Sequence, residues 1–93
     1  MKELEFLNMG IDFENEGNVQ TAIQMYQKSL QVNQKFGEAH LRLAGVYQKL
    51  GDKRSEAGCL QNFINLAYLT PKTLELVPLA KERFKELTQP AAE

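Results

Sequence analysis

The chain has 93 residues, 43% of them hydrophobic and 25% charged, with a formal net charge of -1. That length allows one domain with a modest core, and the composition is that of a folding chain rather than a disordered or fibrous one. Basic and acidic residues are interspersed, so no cationic field exists for a phosphate backbone, and no apolar run approaches the ~20 residues that cross a bilayer; the expectation is a soluble protein without nucleic acid or membrane as partner.

Leu4, Phe6, Leu7, Met9, Gly10, Ile11 and Phe13 recur in steps of three and four with no proline among them, which predicts an amphipathic helix over 3–16. Gly17 ends it, and Asn18 is placed to cap the next helix, because its side-chain oxygen can accept an orphan backbone N–H. Ala22, Ile23, Tyr26, Ser29 and Leu30 carry this second helix to about residue 34. A short loop holding Phe36 and Gly37 leads to a third periodic stretch with Leu41, Leu43, Ala44, Val46, Tyr47 and Leu50, which stops at Gly51. Asp52 caps a fourth helix whose apolar stripe is Ala57, Leu60, Phe63, Ile64 and Ala67, and Thr70 and Pro71 break it.

Leu76, Leu79, Ala80, Phe84 and Leu87 form a fifth stripe. Pro78 lacks an N–H and would clash with a preceding turn, so it belongs in the first turn of a helix over about 77–88, with 71–76 as a separate short turn. Residues 89–93, with Pro90 and two alanines, have nothing to bury and are expected to be disordered. Period-two alternation of β-branched residues is absent, so no strand is predicted.

Helix, glycine turn, helix thus occurs twice, and the turn glycines Gly17 and Gly51 stand 34 residues apart. At that offset Phe6 falls with His40, Met9 with Leu43, Gly10 with Ala44, Phe13 with Tyr47, Ser29 with Phe63 and Leu30 with Ile64; most pairs keep size and expected burial. The first copy reads Phe6-x2-Met9-Gly10-x2-Phe13, then Gly17, then Ala22-x3-Tyr26, and the second reads His40-x2-Leu43-Ala44-x2-Tyr47, then Gly51, with Glu56 and Leu60 at the last two places. Over about residues 3–68 this period and order of aromatic, small and glycine positions resembles the tetratricopeptide repeat (TPR) family.

The resemblance implies an all-α fold of two antiparallel helical hairpins, 3–36 and 37–70, stacked as a short right-handed α-solenoid. The helix at about 77–88 would cap the stack, within a single domain spanning 1–88. A small side chain at Gly10 or Ala44, facing a small one on the partner helix, would let two helices approach closely while flanking aromatics fill the wedge. Glu56 departs from the family's small residue at that place, so packing of the second hairpin is expected to differ there.

Proteins of this family hold partners in a concave groove lined by the first helix of each hairpin. By resemblance the contact residues are Leu7, Asn8, Ile11, Asn15, Leu41, Arg42, Gly45 and Lys49. One subgroup clamps a peptide's C-terminal carboxylate; Asn8 and Arg42 match two clamp positions, but Leu7, Ile11 and Glu38 occupy the others, which argues against that activity. Leu7 and Ile11 make a second apolar stripe on the first helix, suited either to contact with the next hairpin or to a groove for an apolar peptide or amphipathic helix. Lys81, Arg83 and Lys85 with Glu82 and Glu86 read as the solvated outside of a lid, and Glu3, Glu5, Asp12, Glu14 and Glu16 as a solvated acidic face.

Catalytic and metal-binding patterns do not emerge. The single His40 has no second ligand at metal spacing and reads as a packing residue; Cys59, the only cysteine, has no histidine base beside it and fits a reducing, cytoplasmic compartment. Gly10, Gly17 and Gly37 are isolated and make no phosphate loop. The sequence therefore predicts a non-enzymatic adaptor that binds a protein or peptide partner and takes no cofactor. The alternative is a structural module that forms a homo-oligomer through Leu4, Leu7 and Ile11 of its first helix.

Overall fold

Both glycine turns are built in the same way. Gly17 and Gly51 adopt the left-handed backbone conformation, at φ 83° and 75°, which a Cβ disfavours. The next residue then donates its N–H to a carbonyl five residues back, Asn18 to Phe13 at 2.9 Å and Asp52 to Tyr47 at 3.0 Å. The Asn18 and Asp52 side chains accept in turn from the backbone N–H of Thr21 and Ser55, capping the second helix of each pair.

A computed structural model describes residues 1–89, all of whose regular elements are helices. These are α1 (Lys2–Asn15), α2 (Val19–Val32), α3 (Gly37–Leu50), α4 (Lys53–Leu66), the single turn α5 (Pro71–Leu74) and α6 (Val77–Thr88). α1 packs on α2 and α3 on α4 as antiparallel pairs, α2 meets α3, and α6 lies against α4. The Cα trace measures 45 × 29 × 19 Å, and the shortest axis accommodates two helix layers at the usual spacing of about 8–10 Å. Among the described residues no helix is long and apolar enough to cross a membrane. Of the tail expected to be disordered, only Gln89 lies within the described residues, as the C-cap of α6.

Side-chain volume is exchanged between the two pairs. A Cβ on Gly10 would lie 2.5 Å from the ring of Tyr26, so Gly10 is required by a large neighbour and not, as the spacing suggested, by a small one. Thirty-four residues on, Ala44 and Leu60 share a buried cluster, the larger helix residue now matched to a smaller partner. A second exchange sits at the open ends. In the first pair the Ser29 hydroxyl donates to the Glu3 carbonyl at 2.7 Å; in the second, Phe63 covers Gly37, which begins α3 rather than lying in the preceding loop.

The junction between the pairs explains where sequence equivalence fails. Ala39, Leu43 and Val46 of α3 are buried against the first pair, in a cluster with Leu7, Ala22, Ile23 and Tyr26. Their counterparts on α1 are Glu5, Met9 and Asp12, all exposed; Met9 is 44% exposed where Leu43 is 4% exposed. Among the described residues no helix packs over this face of α1, so the expected burial of Met9 is corrected. Leu7, by contrast, is only 2% exposed and belongs to the core, which removes it from the open contact surface that the resemblance implies. Ile11 also packs against this cluster. His40 is buried, its ring Nε2 donating to the Gln34 carbonyl at 2.7 Å, a packing role across the α2–α3 connection.

The C-terminal segment is pinned at three places. Tyr68 donates its N–H to the Lys35 carbonyl at 2.9 Å, and the Lys35 ammonium lies 4.8 Å from the Tyr68 ring centroid. Thr70 and Thr73 form a reciprocal capping box around the α5 turn, and Pro78 is the second residue of α6, where its missing N–H is harmless. Arg83, expected on the solvated face, instead reaches inward to Glu56 with two hydrogen bonds of 2.8 and 3.1 Å. The carboxylate that departs from the repeat pattern is thereby buried and paired.

Candidate functional site

The two leucines at equivalent repeat positions have different surroundings. Leu7 is enclosed by α2 and α3, whereas Leu41, its counterpart on α3, is covered only in part by α5 and α6. The next equivalent position widens the gap, because Ile11 is replaced by Gly45, and a Cβ built on Gly45 meets nothing within 4 Å. The result is a groove between α3 and the α5–α6 segment. It consists of two depressions, of ≈ 260 and ≈ 270 Å³, which share Leu41 and Leu76.

Its floor and far wall are mainly apolar, formed by Leu41, Ala44, Gly45, Leu60, Leu76, Leu79 and Ala80, with the Glu56 carboxylate of α4 among them. Leu79 stands out from this wall at 66% exposure. Glu38, Arg42 and Lys72 rim one end, Gln48 and Arg83 the other. Arg83 is committed to Glu56, while Arg42 forms no ion pair among the described residues and remains available to a carboxylate.

The other expected contact residues divide by helix. Leu41, Arg42 and Gly45 line the groove, whereas Asn8 and Asn15 lie on α1 outside it. Lys49 is exposed but engaged, its ammonium 2.6 Å from the Glu14 carboxylate, which also accepts from the Tyr26 hydroxyl at 2.6 Å. Burial pushes the Glu14 carboxyl up, but the hydrogen bonds from Lys49 and Tyr26 and the nearby positive charges outweigh it and hold it below its ordinary range. This network joins α1, α2 and α3 and serves the fold. Leu76, Leu79 and Lys72 are groove residues that the repeat resemblance does not reach. A signal existed: Leu76, the N-cap of α6, and Leu79 widen the apolar face made by Val77, Ala80 and Phe84 into an arc broader than α4 alone covers.

Burial pushes the half-buried Cys59 thiol up to about 11, so it is protonated near neutral pH and a poor nucleophile. Among the described residues no three His, Cys, Asp or Glu side chains gather as a metal site requires. No protein-family model matches the chain, and no curated protein matches it in sequence.

Proposed function

We propose that the chain is a non-catalytic, TPR-like binding module that holds a short apolar segment of a partner protein in the groove between α3 and α6. The reading is supported above all by Leu41: the same residue that is sealed at Leu7 is left partly open here, beside a glycine and an exposed leucine. An apolar side chain of the partner would supply affinity by covering Leu41 and Leu79, and Arg42 would fix its orientation through an acidic group. The 34-residue period and the paired helices support a solenoid arrangement of the TPR kind. Self-association through α1 is less well supported, because Leu7 and Ile11 face inward and Glu5 and Asp12 occupy the face that would receive another copy.

Gly45→Leu tests the groove without disturbing the core. It fills open space and replaces a helical glycine, so thermal stability should hold or rise by up to about 1 kcal/mol. Capture of partner proteins from lysate is expected to fall at least about tenfold, the loss of roughly 1.4 kcal/mol of binding. Arg42→Glu should act in the same direction, and Asn8→Lys on α1 should leave capture unchanged. Undiminished capture by the filled groove would refute the assignment.

A further inference from the structure

Glu56 stands where the first helix pair has Ala22, a fully buried small residue, and it is itself only 2% exposed. Both its carboxylate oxygens are taken by one guanidinium, Arg83 Nε to Oε2 at 2.8 Å and Nη2 to Oε1 at 3.1 Å. The guanidinium is delivered from α6, a helix with only one buried residue, Ala80, against five in α2. Val77, Phe84 and Leu87 add partial contacts. α6 packs chiefly on one helix, α4, and it carries the partner of the most deeply buried charged side chain.

We propose that α6 is a latched cover over the α3–α4 pair, with the Glu56–Arg83 pair as its latch. The seat beneath it accepts, when α6 undocks, an amphipathic helix of a partner protein that presents an arginine one turn after a small residue. The occupant is specified by charge complementarity at Glu56. A helix with an apolar residue at the place of Arg83 would leave the carboxylate buried and unpaired, and a lysine would bring a point charge without the fork that satisfies both oxygens. Ala80 and Arg83, three residues apart on one face of α6, show the pattern that fits. Segments with few buried apolar contacts open at lower free energy than the body of a domain, so α6 exposes this seat without unfolding α1–α4. The seat shares Glu56, Leu60, Ala80 and Arg83 with the second depression of the groove, but the latch rests on the Glu56–Arg83 pair and the burial of α6, not on the open part of the groove.

Hydrogen exchange on the full chain tests the latch, and binding tests the seat. In the unaltered protein α6 amides should exchange at least about tenfold faster than those buried in α2. Arg83→Met should speed α6 exchange a further tenfold to hundredfold, roughly, and leave α1 and α2 unchanged; Arg83→Lys should do so less, and Glu56→Ala/Arg83→Met should return it toward the original rate. A labelled peptide of residues 76–89 should bind the Arg83→Met chain at least about tenfold more tightly than the same peptide with Arg83→Met. That preference should vanish on the Glu56→Ala/Arg83→Met chain. Exchange of α6 only together with α1–α4, collapse of every helix in the Arg83→Lys chain, or indifference to the peptide's arginine would overturn the proposal. Sedimentation showing that the Arg83→Met chain dimerises would also overturn it, by giving the seat to a second copy.

Discussion

Leu7→Ala is expected to lower unfolding free energy by about 2–4 kcal/mol, the range for emptying a leucine-sized space in a closed core. The residue is 2% exposed in a cluster drawn from α1, α2 and α3, and that cluster is what joins the two helix pairs. A chain of this length has roughly 5–15 kcal/mol of total stability, so the loss is a large fraction of it. Leu41→Ala, the same change at the equivalent position, should cost below about 1.5 kcal/mol, because Leu41 already borders open space and leaves little new cavity. Urea unfolding of the two variants measures the difference directly. Equal losses would show that Leu7 and Leu41 have the same surroundings, which would remove the basis for the groove.

Gly10 and Tyr26 should behave as one unit. Gly10→Ala places a methyl 2.5 Å from the ring, and the strain of about 1–3 kcal/mol exceeds the roughly 1 kcal/mol that alanine gains over glycine within a helix. Tyr26→Leu loses ring packing and the 2.6 Å hydrogen bond to Glu14, at a cost of about 2–4 kcal/mol. The double variant reproduces the Ala44 and Leu60 combination of the second pair, so it should be more stable than the summed losses predict by about 1–2 kcal/mol. Thermal or denaturant unfolding of the four proteins closes the cycle. Simple additivity would mean that the helix approach at Gly10 is not limited by the tyrosine ring.

Local chemistry was legible in the sequence. The left-handed turns at Gly17 and Gly51, the caps at Asn18 and Asp52 and the early position of Pro78 each depend on a few neighbouring residues, and all are found where the residue types demand them. Features that depend on distant elements were not legible. Met9 and Leu43 occupy the same place in the repeat, yet only the second has a helix pair in front of it. Leu7 and Leu41 are identical residues, but α2 and α3 close over the first while α5 and α6 cover the second only in part. Glu56 read as a packing fault because its partner lies 27 residues further on, in a helix whose charges read as solvated. Equivalent positions of the two helix pairs share their local conformation but not their neighbours.

The groove lies where α5 and α6 cover Leu41 incompletely. Placing a photo-crosslinking residue at Leu79, and separately at Val32 at the end of α2, tests this most directly. Both positions are exposed, so neither substitution disturbs the core. The account predicts covalent capture of a partner protein from Leu79 and not from Val32; capture from Val32 with none from Leu79 would contradict it.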